Sequence, residues 1–345
     1  MAEGDVREIL VINVSRIGDT LLVTPAIRAI AAAYPGARLT FLGHPKRMEI
    51  MENLPFIARA GSITKRRAFW SGRLASGTRY DLAFVYGNDL PLIEYALRVA
   101  KKAVAWRQGV ASIDNRLYKA VEPPGFQSAH SVVLQMALPA ALGIRPAGHR
   151  LAYRVTDQEA AWAEGTLARD LPHGAGPVIG LQVASFPTKG YRDWPIGHFI
   201  ALCRRVLSEY GRSHFLIFGG GLERERTREL HRQFPGSSTV YAGKLSLRQT
   251  AALMSRLDLY IGVDTGPTHI MGTFDIPLVA LYHCYSPSRL IAPLEHPCLY
   301  AVDHPDLGKG ACGPETPMGK ISVDTVWECV RAALASRQRP VQMVP

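Results

Sequence analysis

The sequence predicts an α/β fold built from two similar halves, and three observations carry that expectation. Apolar runs of strand length alternate with helix-length segments of mixed polarity through most of the chain. A Pro- and Gly-rich break at residues 172–177 (PHGAGP) separates one such series from a second. Residues 258–269 (DLYIGVDTGPTH), followed by 277–282 (PLVALY), read strand, turn, helix and strand again, as the interior of a parallel sheet does.

The first half opens with a strand at residues 9–14 and a Gly-containing turn. A long helix with an apolar face runs from Asp19 to Tyr34 and is stopped by Pro35 and Gly36. Residues 38–42 give the next strand and residues 81–86 another, followed by a helix at 90–101. Residues 156–171 read as a helix with a Thr-Asp start, closed by the 172–177 break, which is the best domain boundary in the chain. The second half begins with a strand at 178–183. It continues through a helix at 196–210, a strand at 215–218, helices at 223–233 and 247–257, and the 258–282 motif. The last regular element, residues 323–336, is an amphipathic helix expected to pack back across the first domain.

The chain has 345 residues, 47% of them hydrophobic and 20% charged, as a folded two-domain protein requires and a disordered one does not. No apolar run approaches the roughly 20 residues needed to cross a bilayer, and the acidic, polar N-terminus is unlike a secretory signal. Five cysteines form no CxxC pair and are odd in number. Neither a disulfide framework nor a zinc site is therefore expected, and a reducing cytoplasm fits best. Forty basic against 29 acidic residues leave a net charge of +11, which implies attraction to a polyanion. No acid lies between Glu52 and Asp81, whereas Arg59, Lys65, Arg66, Arg67, Arg73 and Arg79 do, with Phe69 and Trp70 among them. That stretch is either a solvated basic loop or a docking surface for an acidic partner.

Four strand-to-helix segments carry residues suited to chemistry. In residues 15–19 (SRIGD), Asp19 sits at a helix start, where it is either a general base towards a sugar hydroxyl or a first-turn acid. The turn lacks GxGxxG, so a dinucleotide cofactor is weakly supported. In residues 184–195 (ASFPTKGYRDWP), Ser185 and Thr188 offer hydroxyls and Lys189 or Arg192 offers a cation for a diphosphate. The ordinary alternative is a surface loop anchored by Trp194. In residues 218–225 (FGGGLERE), three glycines permit close backbone approach. Glu223 is placed to accept hydrogen bonds from ribose hydroxyls, unless it is merely a helix-start acid. In the 258–269 motif, Asp264, Thr265, Gly266 and His269 surround a helix start that suits a phosphate or pyrophosphate, or else form a plain Asp-capped turn. No DxD pair occurs and no His/Asp/Glu cluster has metal-ligand spacing, so chemistry without a metal or cofactor is expected.

Taken together, residues 9–27 (ILVINVSRIGDTLLVTPAI), Tyr34-Pro35, residues 185–195, Gly219-Gly220, residues 243–247 (GKLSL) and residues 264–269 resemble the bacterial lipopolysaccharide heptosyltransferases, glycosyltransferase family 9. The match covers most of the chain, and the order and spacing of its pieces are more specific than any one piece. The resemblance implies a GT-B architecture: two Rossmann-like domains facing each other across a cleft. Residues 1–172 would bind the acceptor, residues 173–322 the nucleotide sugar, and residues 323–345 would form the C-terminal helix and tail. It also implies an ADP-heptose-type donor, an acidic glycolipid acceptor and metal-free inversion at the anomeric carbon.

Carried over by motif, Asp19 is the base, Asp264-Thr265-Gly266 hold the pyrophosphate and sugar with His269 nearby, Glu223 meets the ribose, and Lys244 and Leu245 line the nucleobase. The basic residue two places before Trp-Pro is Arg192, whereas counting forward from Ser185 selects Lys189. Lys65, Arg66, Arg67 and Arg73 are the expected acceptor-side cations. The expected location is cytoplasmic, at the anionic inner face of the inner membrane. Two readings compete: another nucleotide-sugar enzyme such as an epimerase, and a basic nucleic-acid-binding module. No recognised nucleic-acid motif is present, so nucleic acid is not an expected partner.

Overall fold

The computed structural model describes residues 6–74, 77–125, 129–310 and 312–337, except the side chains of residues 71–74, 187 and 337. The chain folds as two compact units, Met1–Arg154 and Val155–Pro345.

The first unit is a six-stranded sheet. Its strands are β1 (Glu8–Asn13), β2 (Arg38–Gly43), β3 (Arg59–Ser62), β4 (Tyr80–Tyr86), β5 (Ala100–Trp106) and β6 (Lys119–Val121), in the order β3-β2-β1-β4-β5-β6 and parallel throughout. Its helices are α1 (Ile17–Leu22), α2 (Thr24–Ala33), α3 (Lys65–Leu74), α4 (Leu90–Val99), α5 (Ala111–Asp114), α6 (Ser131–Gln135) and α7 (Ala137–Ala140). The single helix expected over 19–34 is two. Pro25 has no N–H to donate, and the Thr24 hydroxyl donates to the Leu21 carbonyl at 2.6 Å, so the first helix ends at Leu22. The helix expected to reach Lys101 ends at Val99, and Lys101 lies on β5, where it pairs with Asp81 at 2.8 Å. The basic stretch is neither loop nor featureless: residues 65–74 are helical.

The second unit repeats the plan. Its strands are β7 (Val178–Gln182), β8 (His214–Phe218), β9 (Ser238–Val240), β10 (Leu259–Val263), β11 (Leu278–Tyr282) and β12 (Leu299–Asp303), again all parallel, in the order β9-β8-β7-β10-β11-β12. Its helices are α8 (Asp157–Asp170), α9 (Ile196–Tyr210), α10 (Arg224–Gln233), α11 (Leu247–Met254), α12 (Gly266–Met271), α13 (Ser288–Ile291) and α14 (Val323–Arg337). Numbered within its own unit, each sheet runs 3-2-1-4-5-6, the doubly wound order in which ligands bind where the winding reverses, beyond the carboxyl ends of strands 1 and 4. In the second unit those strands are β7 and β10, which lead into the 184–195 loop and the Asp264 turn. In the first they are β1 and β4, and β1 leads into the 15–19 turn.

The main core of the second unit packs the inner faces of β7, β8, β10 and β11 against Phe199, Leu202, Cys203 and Val206 of α9 and Val326, Val330 and Ala333 of α14. Each fully buried Leu or Phe of this kind contributes about 1.5–3 kcal/mol. The apolar face of the C-terminal helix is buried in the core of the second unit, and Arg331 meets Glu209 of α9 at 3.6 Å. The domain boundary moves to Arg154/Val155. Helix α8, assigned by sequence to the first domain, packs on α11, and Glu159 receives two hydrogen bonds from Arg248, at 2.5 and 2.7 Å. At its far end, Asp170 accepts from the Tyr241 hydroxyl at 2.8 Å. The Pro-Gly break therefore joins α8 to β7 inside one unit.

Thr156 caps α8 reciprocally with Glu159, and the Arg248 bonds with these cap bonds hold the Glu159 carboxyl down at about 2. A carboxyl depressed below its unfolded value stabilises the fold above the unfolded pKa and loses that contribution as pH falls towards the folded one. Glu159→Gln should therefore be less stable than the parent at pH 6, with the difference shrinking as pH falls from 4.5 towards 2. Urea unfolding at pH 6 and pH 3 measures this; an equal difference at both would refute it.

Candidate functional site

Strand β10 is buried along its whole length, and Asp264 follows it directly with only 2% of its surface exposed. A bare carboxylate so placed would be costly to ionise. Three groups compensate. Arg192 Nη1 lies 2.7 Å from Oδ2 and also donates to the Asp264 carbonyl at 3.2 Å. His269 Nε2 stands 3.4 Å from Oδ1, and the Ser286 hydroxyl donates to Oδ2 at 3.3 Å. Burial pushes the Asp264 carboxyl up, but the His269 contact and the Arg192 charge outweigh it and hold the carboxyl below its ordinary range.

Thr265 is the extended N-cap of α12, with Pro267 in the first turn, so the opening N–H groups have no intrahelical carbonyl to bond. His269 is 4% exposed, and its Nδ1 has no partner among the described residues. Orphaned polar atoms at such depth call for a water or a ligand group.

The β7 exit loop is organised from within. The Ser185 amide donates to Asp193 Oδ1 at 2.7 Å, and its hydroxyl lies 2.7 Å from both that oxygen and the Lys189 carbonyl. Ser185 thus closes its own loop, and its one hydroxyl proton is engaged there. Asp193, which the sequence reading passed over, is the hub, and burial raises its carboxyl despite the Ser185 bonds. Arg226, likewise overlooked, reaches from α10 to the Val183 carbonyl at 2.7 Å and to the Trp194 carbonyl, pinning both ends of the loop. Trp194 is fully buried and donates Nε1–H to the Ile321 carbonyl at 2.8 Å. The loop is therefore both a Trp-anchored element and a presenter of polar groups.

Thr188 is exposed at the tip of this loop, and Lys189 is partly exposed with its ammonium 5.6 Å from the Tyr191 ring centre. Among the described residues no carboxylate pairs with Lys189, whereas Arg192 is committed to Asp264.

The loops after β8 and β9 are joined by Gly243 N–H to the Gly219 carbonyl at 2.9 Å. Glycine is required at Gly243, which has φ +67° and would place a Cβ 2.9 Å from the Arg224 guanidinium, whereas a Cβ on Gly220 would meet only the Glu223 carboxylate, which can move aside. Glu223 is half-buried, and that burial raises its carboxyl. Lys244 is exposed and Leu245 partly so. A cavity of about 580 Å³ opens beside them, lined by Arg224, Arg228, His231, Thr239 and Lys244.

In the first unit, Asp19 occupies the first turn of α1 and is exposed. Its carbonyl accepts from Asn13 Nδ2 at 3.4 Å, and Arg47 Nη1 donates to the Ser15 carbonyl at 2.9 Å, so the turn is held while the carboxylate has no ion-pair partner among the described residues. Lys65, Arg66 and Arg67 are exposed on α3, where Lys65 pairs with Asp89. Trp70 on the same helix is 57% exposed. Arg73 belongs to α3, but its side chain lies outside the described residues.

One cluster of metal-ligand type occurs among the described residues, His283, Cys284 and Cys312. Its sulfurs are joined: Cys284 and Cys312 form a disulfide. This corrects the expectation of unpaired cysteines. The partners are 28 residues apart, with no short spacing to betray them, and the chain that brings them together is held at the β11 exit by the His283 bond to the Thr316 carbonyl. No helix among the described residues is long and apolar enough to cross a membrane.

The family model for glycosyltransferase family 9 (heptosyltransferase) matches residues 99–299. Lipopolysaccharide heptosyltransferase 3 of Escherichia coli is 21% identical over 280 residues, covering 77% of this chain and 80% of that one. The crystal structure of a family 9 glycosyl transferase from Veillonella parvula superposes with a TM-score of 0.82 at 19% identity, covering 97% of this chain and 99% of that one. The E. coli ADP-heptose lipopolysaccharide heptosyltransferase II gives 0.76 at 19% identity, with 96% and 100% covered.

Replacing Arg192 by Met should leave Asp264 buried without its strongest charge partner, costing about 3–5 kcal/mol of stability at neutral pH. The carboxyl, with less to offset its burial, takes up a proton more readily as pH falls, so the deficit should shrink from pH 7 through the ordinary carboxylate range. Thermal unfolding across that range tests this, and a deficit independent of pH would count against the pairing.

Proposed function

The chain belongs to glycosyltransferase family 9, the heptosyltransferase family, and from that premise we propose that this enzyme transfers a heptose from ADP-heptose to a lipopolysaccharide core or a similar acidic glycolipid. Inversion at the anomeric carbon and independence from a metal ion belong to the same proposal. The observation that carries it is the buried Asp264–Arg192–His269 group at the winding reversal of the second unit. It holds one balanced carboxylate and leaves one orphaned imidazole nitrogen. That combination suits a polyhydroxylated, doubly charged ligand better than a flat apolar one. Two relatives, a lipopolysaccharide heptosyltransferase and an ADP-heptose lipopolysaccharide heptosyltransferase, support the same choice.

In this reading the diphosphate meets Lys189, the Thr188 hydroxyl and the N–H groups that open α12. Lys189 takes the role for which Arg192 competed, because the Arg192 charge is already balanced by Asp264. Asp264 and His269 face the sugar, with the orphaned Nδ1 accepting from or donating to a hydroxyl. Glu223 receives the ribose hydroxyls, Lys244 and Leu245 flank the base, and Ser185 acts from behind by closing the loop. Asp19 takes a proton from the acceptor hydroxyl, which attacks the anomeric carbon as the bond to the diphosphate breaks. Positive charge held in place at the leaving diphosphate helps to the extent that it binds the transition state more tightly than the bound donor. Lys65, Arg66, Arg67 and Arg73 serve the phosphates or acidic sugars of the acceptor, and the protein works at the anionic cytoplasmic face of the membrane.

Asp19→Ala should lower kcat by about two to four orders of magnitude while leaving the protein folded and donor binding intact. Near-normal transfer by that variant would remove Asp19 from the mechanism. A donor screen by thermal shift tests the substrate class: ADP-heptose at a hundred times its Kd should add about 2.7 kcal/mol of stability. A shift with UDP-sugars and none with ADP-sugars would overturn the heptose assignment. Incubating a nucleotide sugar without acceptor separates transfer from epimerisation, since only an epimerase would convert it.

A further inference from the structure

The disulfide ends beside the candidate donor site. Cys284 follows β11 by two residues, and the turn it belongs to touches two parts of that site, Asp264 and the 184–195 loop. Ser286 donates to Asp264 at 3.3 Å, and the His283 and Tyr285 rings pack edge-on against Tyr191, at 5.1 and 6.1 Å between centres. Tyr191 stands between Lys189 and Arg192 in the chain, and the Arg192 guanidinium lies 5.5 Å from its ring centre.

The turn is tied to residues 312–316 by the disulfide and by one imidazole–carbonyl bond, His283 Nε2 to Thr316 at 2.7 Å, and His304 Nε2 meets the next carbonyl, that of Pro317, at 3.1 Å. Neither His283 nitrogen is idle: Nδ1 accepts the Tyr285 N–H at 3.1 Å. The two sulfurs differ in access. Cys284 is 7% exposed and Cys312 partly exposed. A thiolate reductant can thus reach the Cys312 sulfur, with Cys284 as the leaving group.

We propose that Cys284 and Cys312 form a reversible thiol–disulfide site that sets the donor affinity of the Asp264 and Lys189 group. Oxidised, the pair holds the 283–286 turn against Asp264 and Tyr191; reduced, it releases the turn. The conversion balances as thiol–disulfide exchange: two reductant thiols become one disulfide, and each cysteine sulfur gains a proton. The effect on donor binding rests on the reading of Asp264 and Lys189 as the nucleotide-sugar site.

The test uses the full chain, oxidised and then treated with dithiothreitol. Alkylation under denaturing conditions should label three cysteines before reduction and all five after it. Amides of residues 283–286 should exchange faster in the reduced protein. ADP should bind roughly tenfold more weakly after reduction, the scale expected when a few ordered side chains must be re-immobilised. Reoxidation should restore the affinity, and KM for the donor should move while kcat stays. Cys312→Ser should bind ADP as weakly as the reduced protein and ignore the reductant.

Equal exchange and equal ADP affinity in both states would overturn the proposal, as would five labelled cysteines without reductant. Stoichiometric zinc uptake by the reduced chain, lost in His283→Gln, would overturn it too, because the sulfurs would then be metal ligands. If neither form binds ADP, the donor reading fails and takes the affinity effect with it. The exchange of residues 283–286 still reports separately on whether the disulfide holds the turn.

Discussion

A carboxylate buried at the end of a central strand requires compensating charge and hydrogen bonds, and the second unit is arranged around meeting that requirement. Asp264 is reached by Arg192 from the β7 exit loop, by His269 from α12 and by Ser286 from the β11 exit. Three separate segments are thus drawn to one point, each arriving from the carboxyl edge of the sheet. Low surrounding polarity makes each contact stronger than it would be in water and makes the loss of any one expensive. The same geometry engages the Arg192 charge and leaves that of Lys189 without a carboxylate partner among the described residues.

The sheet order explains why those segments converge. In a 3-2-1-4-5-6 sheet the connections leaving strands 1 and 4 run to opposite faces, so a crevice opens between them. Strands β7 and β10 stand in those positions, with the 184–195 loop and the Asp264 turn at their ends. Strand β1 holds the corresponding position in the first unit and leads to Asp19. The repetition of one topology with no visible sequence repeat is a consequence of the crossover rule, which constrains handedness and burial pattern and leaves residue identity free.

The candidate site shows how far a motif reading reaches. It locates strand-to-helix loops, because a loop that follows a strand and precedes a helix is legible from the change in apolar periodicity. It does not reveal what individual hydroxyls and cations bond to. Ser185 has the chemistry of a ligand donor, yet Asp193 lies eight residues on and takes up both its amide and its hydroxyl. Arg226 resembles any other arginine on a polar helix, and only its reach to the Val183 and Trp194 carbonyls gives it a role. In neither case does local sequence carry a signal, because the partner is chosen by the fold.

By itself the sequence determined the α/β class, the central strands β1, β7, β10 and β11, helix α9 from end to end, and the four strand-to-helix turns that bear candidate residues. These depend on local apolar periodicity, on Gly and Pro punctuation and on capping, all of which act within a few residues. Edge strands such as β3, β6 and β9 escaped it. They are three or four residues long and bury only part of their surface, so they show no clean alternation. The tertiary structure alone decided the unit to which α8 and α14 belong, the pairing of Cys284 with Cys312, and the engagement of Arg192 with Asp264. Each of those outcomes joins residues 28 to 122 positions apart. Contacts over such separations are selected by which buried charges and apolar faces must be matched in space, and no local pattern encodes that.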